Sequence, residues 1–143
     1  MTSQLNVDTI VDKAGSGGSN VKMANTSTYV SDGGNVAQNT VQGLCKAWID
    51  FNGTGTIATR DSFNVTSITD GGTGIYTVTI ANDMGNVNYS TTGAAGENDD
   101  SGGNRSLGLR ARAAGSQNVR GFRDGVSAED EPEMCIHIMG DLA

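Results

Sequence analysis

Between residues 44 and 80 the chain alternates apolar and polar positions with a period of two, the mark of strands that bury one face. In residues 45–51, Cys45, Ala47, Ile49 and Phe51 share one face, and Lys46, Trp48 and Asp50 share the other. Residues 75–80 repeat the pattern, with Tyr76, Val78 and Ile80 set against Thr77 and Thr79. Between them a strand begins at Phe63 and Val65, and its alternation slips at Ser67 and Ile68 as a β-bulge would make it slip. Asn52-Gly53-Thr54-Gly55 and Asp70-Gly71-Gly72-Thr73-Gly74 provide the backbone freedom that tight connections need. Together these runs predict an antiparallel three-strand meander.

The flanks extend the picture. Residues 87–91 predict a shorter strand, and residues 92–104 a long loop without an apolar anchor. Leu107, Leu109 and Ala111 alternate with Gly108, Arg110 and Arg112, and residues 119–123 predict one more strand. In the last strand, Met134, Ile136 and Ile138 oppose Cys135, His137 and Met139. Both of its faces are mostly apolar, as in a strand covered on each side. No window carries the i, i+3, i+4, i+7 stripe of an amphipathic helix. Residues 41–143 therefore predict an all-β domain of six to eight strands, a small antiparallel β-sandwich or jelly-roll. Residues 1–40 differ. A short alternation over residues 5–12 is followed by the connector Ala14-Gly15-Ser16-Gly17-Gly18-Ser19 and a polar stretch with few large apolar groups, which predicts an extended arm.

Composition changes this picture in one respect. The chain has 143 residues, with 21 Gly, a single Pro and only 5% aromatic residues. Apolar burial drives folding, so a core built from so few large side chains is thin, and part of the burial is expected from another copy. The net charge of −7 argues against a general partner among nucleic acids or anionic membranes. No apolar run is long enough to insert in a bilayer, and the first residues lack the basic start and apolar stretch of a secretion signal. Two cysteines, Cys45 and Cys135, do not make a disulfide framework and are expected as reduced, buried thiols.

Candidate chemistry is sparse. Gly53-Thr54-Gly55-Thr56-Ile57-Ala58 matches half of a dinucleotide fingerprint, but a β-leaning run follows where a helix is required, so it reads as a turn. Gly71-Gly72-Thr73-Gly74-Ile75-Tyr76 is close to a calcium-binding glycine repeat, with Tyr76 where the aspartate ligand belongs. Asn98-Asp99-Asp100-Ser101 could offer oxygens to calcium but lacks the EF-hand spacing. His137, the sole histidine, has no second histidine to build zinc coordination and no nucleophile elbow to serve, so it is expected as a buried strand residue. Glu129, Asp130, Glu131 and Glu133 read as a solvated face rather than a glycosidase pair. No cofactor, no metal site and no catalytic set are expected.

Two features carry more. Five of the six arginines fall between positions 105 and 123 (Arg105, Arg110, Arg112, Arg120 and Arg123), flanked on both sides by acidic runs. They predict either ion pairs within or between subunits, or a patch for anionic sugars or phosphates of a cell envelope. With Asp99 and Asp100 of the long loop they form a candidate contact surface. Trp48, between Lys46 and Asp50, is an intersubunit contact or a sugar-stacking platform. The contact is favoured, with Met139 as a second interface candidate.

The central stretch resembles a block found in tail fibres of bacteriophages that infect marine bacteria and cyanobacteria. The likeness is carried by Lys46-Ala47-Trp48-Ile49-Asp50-Phe51-Asn52-Gly53-Thr54-Gly55, by Arg60-Asp61-Ser62-Phe63-Asn64-Val65, and by Ile68-Thr69-Asp70 with Gly74-Ile75-Tyr76-Thr77-Val78. The opening Leu5-Asn6-Val7-Asp8-Thr9-Ile10-Val11-Asp12 is similar to the leader of such proteins. The likeness covers about a third of the chain and departs at Met84-Gly85, where related chains carry Met-Pro. The resemblance implies a non-enzymatic virion protein, assembled in the host cytoplasm and commonly a homotrimer. Its arm would dock on other tail or virion proteins through Leu5, Val7 and Ile10, and its β-domain would face the host and its surface glycans. A head decoration protein, a tail adaptor and a carbohydrate-binding module are the alternatives.

Overall fold

The computed structural model describes residues 27–30, 37–97 and 103–143, and the chain divides into two units at Val41/Gln42. Leu5, Val7, Ile10, Asp99 and Asp100 lie outside the described residues. In the first unit, β1 (Thr28–Val30) and β2 (Ala37–Asn39) pair as an antiparallel hairpin within the stretch read as an arm.

The second unit is all-β, with nine strands and no helix among the described residues. These are β3 (Cys45–Asn52), β4 (Ala58–Phe63), β5 (Val65–Asp70), β6 (Ile75–Ile80), β7 (Ser90–Gly96), β8 (Arg105–Ala113), β9 (Ser116–Arg123), β10 (Ser127–Ala128) and β11 (Glu133–Met139). Four of them form a sheet in the order β4-β3-β11-β7. The other sheet has the order β10-β9-β6-β5, with β8 also paired to β9. All pairings are antiparallel, giving the small sandwich that the alternation predicts.

The core follows the parity of the sequence. Ala47, Ile49 and Phe51 of β3 and Met134, Ile136 and Ile138 of β11 face Tyr76, Val78 and Ile80 of β6 and Val119 of β9. Met84 and Tyr89 close one end, and Phe51 meets Tyr76 edge-on with ring centroids 5.2 Å apart. The space between the sheets is thus filled by a single copy, a fuller interior than composition implied. What a lone copy leaves uncovered is apolar surface on the outside.

Three expectations are corrected. The central stretch is not a meander, because β4 pairs with β3 in one sheet while β5 pairs with β6 in the other. The chain changes sheet at Asn64, whose φ of 55° is a left-handed conformation that asparagine tolerates better than most residues. Its side chain fixes the corner: Nδ2 donates to the Lys46 carbonyl at 2.9 Å, and Oδ1 accepts from the Asn82 amide at 2.8 Å. The slip in alternation is real, a register shift between Val65 and Ser67. Secondly, the strand expected over residues 87–91 lies instead at 90–96, so residues 92–96 of the expected loop belong to the edge strand β7. Its Thr-Gly-Ala-Ala composition hides it, and Gly93 is there because a Cβ would collide with the Cys135 carbonyl of β11. Thirdly, nine strands replace six to eight.

The corner gives a first test. Asn64→Ala should lose about 2 kcal/mol of stability in urea unfolding, from backbone strain plus the lost side-chain hydrogen bonds. Asn64→Gly, which removes the strain but not the bonding loss, should recover part of it. Equal stability of Ala, Gly and wild type would rule out this role.

Candidate functional site

Parity also fixes what faces outward. On the four-stranded sheet, β3 and β11 place Trp48 opposite His137, β4 places Phe63 opposite Trp48, and β7 places Thr92 opposite His137. Phe63, Trp48, His137 and Thr92 thus form one row across all four strands. Cys135 lies opposite both Asp50 and Ala94 in the next row, and Met139 lies opposite Ser90 and, past a bulge, Cys45. Phe63 and Met139 are exposed, 55% and 37%, and Trp48 is half-buried. The two interface candidates therefore share one outward face, which carries two aromatic rings, an imidazole and a thioether.

His137 corrects an expectation, since it is exposed. Only the inner face of β11 is covered within one chain, so the apolar look of its other face marks surface, not core. The thiols of Cys45 and Cys135 are free, as expected, but half-buried rather than buried. At the end of the face, Asp50 lies directly opposite Asp61, a repulsive pair relieved by Arg60, which bonds Asp50 at 3.0 Å. Asp50, Arg60, Ala94, Glu133 and Cys135 border a shallow depression of about 300 Å³. A second, of about 520 Å³, is lined by Gln42, Asn86, Asn88, Ser90, Met139 and Asp141.

Of the acidic residues expected as a solvated face, Glu133 is exposed, but Glu129 and Asp130 are half-buried and Glu131 is fully buried. The stretch 129–133 runs as a strap between the sheets. Gly53 donates its amide to the Glu131 carbonyl at 2.9 Å, and Arg60 donates to the Pro132 carbonyl at 2.6 Å. The Gly74 amide donates to Asp130 at 2.6 Å. The Tyr76 hydroxyl lies 2.8 Å from Asp130 and 2.9 Å from the Gly53 carbonyl. Burial, reinforced by the bond to Asp130, raises the Tyr76 phenol well above its ordinary value. Gly53, read from sequence as a turn residue, is needed because a Cβ would collide with that hydroxyl.

Arg105 was a host-contact candidate, and the structure removes it from the surface. Its side chain is 6% exposed and is held by Glu97, by Glu129 at 3.2 Å and by Glu131 at 3.3 Å. Register explains this. Arg105 lies directly opposite Arg123 across β8 and β9, and two guanidinium groups so placed need anions between them. Arg123 accordingly meets Glu129 at 3.6 Å. Glu131 is fully buried, and that burial raises its carboxyl above the ordinary value while Arg105 pulls it back.

The remaining candidates part company with these two. Arg112 donates to the Tyr89 carbonyl at 2.6 Å and lies over its ring. Arg110 is exposed, and Arg120 stacks on Phe122 at 4.7 Å. The ion-pair reading thus holds for Arg105 and Arg123, where the flanking acidic runs meet the arginine stretch. Among the described residues no group of His, Cys, Asp or Glu is placed to hold a metal ion. Comparison of the chain with family models, curated proteins and solved structures returns no match.

Proposed function

We propose that the chain is a bacteriophage virion protein of the tail-fibre type. It assembles as a homotrimer, docks on the tail through its first 40 residues and contributes to host attachment through the sandwich. The observation that carries this reading is the outward face with Phe63, Trp48, His137 and Met139 on a sheet whose inner face is already closed. Aromatic and thioether groups gathered on one surface are what interfaces concentrate in their centres. The resemblance of residues 46–78 to fibre proteins supplies the trimer and the setting. Identical copies would then convert weak surface contacts into avid attachment through effective concentration.

Light scattering on the purified chain tests the assembly. A mass of three 14.7 kDa chains is expected, and a single-chain mass at micromolar concentration would overturn it. The depression beside Asp50 and Arg60, close to the Trp48 row, favours a second reading as a carbohydrate-binding module. That reading requires a single copy to bind glycan tightly and to lose binding on Trp48→Ala.

A further inference from the structure

Three of the six arginines are neutralised by carboxylates: Arg60 by Asp50, Arg105 by three glutamates, and Arg123 by Glu129 and Asp124. Arg112 is taken up by the Tyr89 carbonyl and ring. Arg110 and Arg120 have no ion pair among the described residues, in a chain with 16 acidic side chains.

Both belong to the outer face of the five-stranded sheet. Arg120 alternates with buried Val119 and Gly121 on β9, so it points away from the core. Arg120 lies opposite Gly108. Leu109 lies opposite Val119 and Arg112 opposite Gln117, so Arg110, which is exposed, falls in the bulge between those pairs, two residues along β8 from Gly108. The setting of Arg120 is built. Phe122 lies over Gly108, where a Cβ would run into the ring, and the guanidinium stacks on that ring at 4.7 Å. Its Nε is buried without an acceptor. The group is thus oriented by an aromatic ring instead of by an anion. Around it, Asn118 and Thr77 offer neutral donors. Both depressions described above lie elsewhere, and Arg110 is exposed on this strip.

We infer that this strip binds a polyanionic glycan, with Arg110 and Arg120 engaging successive carboxylate or phosphate groups. The inference rests on the attachment reading and names the chemistry of its target. A planar guanidinium fork matches both anions, and an extended strip suits a polymer better than a single ion. Nucleic acid is a poorer match, because the one aromatic ring here, Phe122, is covered by Arg120 and leaves no platform for bases.

The test uses the full chain on three immobilised polymers at low salt: polygalacturonate (carboxylate), polyribitol phosphate (phosphate) and neutral dextran. Binding to at least one polyanion and not to dextran is expected, weakening as salt rises, and the stronger polyanion identifies the anion. Arg110→Ser and Arg120→Gln should each weaken binding about tenfold, whereas Arg123→Gln, whose charge is already paired, should change it by less than about twofold. Failure to bind either polyanion would overturn the inference, as would equal loss on Arg123→Gln or equally tight binding of a DNA oligonucleotide. A drop in oligomer mass on Arg120→Gln would assign the arginines to a neighbouring copy and overturn it too. A single-chain mass with polyanion binding intact would remove the trimer and leave this strip standing.

Discussion

Replacing Arg105 with methionine should destabilise the sandwich by about 3–5 kcal/mol, the range found when one partner of a buried ion pair is removed. The apolar stem is kept and the charge is lost, so the cost falls on the anions left behind. Glu131 bears most of it. It is fully exposed to that loss because it is fully enclosed by protein, and one of its oxygens has no partner even with Arg105 present. Glu97 and Glu129 are nearer solvent and can rehydrate. Glu131→Gln in the Arg105→Met background should therefore recover much of the loss, because a neutral amide is far cheaper to bury than an unpaired carboxylate. Urea unfolding of the four combinations gives the coupling directly. Additive effects would show that Glu131 does not depend on Arg105.

The same pair sets a pH signature whose sign is fixed. Burial places the folded Glu131 carboxyl above its ordinary value of 4.5, so below that value the proton stabilises the fold, and this contribution fades as pH rises through the folded value. Without Arg105 the folded value rises further. The gap between wild type and Arg105→Met should then narrow as pH falls toward 4.5 and widen toward neutrality. A gap that stayed constant, or grew in acid, would exclude Glu131 as its origin.

Much of the fold was legible because period-two alternation reports parity, and parity decides which residues are buried. Ala47, Ile49, Phe51, Tyr76, Val78, Ile80, Met134, Ile136 and Ile138 all lie on the core side. Parity is silent about partners. Nothing in residues 58–70 says that the strand breaks at Asn64 and joins two sheets, since that depends on Asn82 and Lys46, distant in the chain. Nor does composition show that Glu131 is enclosed, because its environment comes from β8 and from the β3–β4 turn. β7 was misplaced because its small residues carry no apolar alternation, and Gly93 is set by clearance against the Cys135 carbonyl of β11, not by hydrophobicity. For the candidate site, Trp48 and Met139 were readable as interface candidates and alternation put His137 on the face of Met139, but Phe63 and Trp48 meet that face only through register. Among the arginines, sequence supplied the cluster, and only pairing across β8 and β9 separates the neutralised from the unpaired.

Trp48→Thr should convert the proposed trimer to monomers while leaving each sandwich folded. Trp48 lies half-buried in mid-row between Phe63 and His137. A central tryptophan is typically worth 2 kcal/mol or more at an interface, and a ring of three copies has three such contacts. Their combined loss, about 6 kcal/mol, corresponds to more than a 10⁴-fold rise in dissociation. Within a copy the same change costs little, because Trp48 is outside the core and gives up only cross-strand pairs worth at most about 1 kcal/mol each. Threonine keeps the strand preference. Ile49→Ala, one residue away on the inner face, should do the reverse and lower stability by about 2–5 kcal/mol, since it opens a cavity between the sheets. Light scattering and urea unfolding on both variants separate assembly from folding. An unchanged oligomer mass for Trp48→Thr would mean that copies do not meet on this sheet. In that case the row of Phe63, Trp48 and His137 would be left with glycan as its partner.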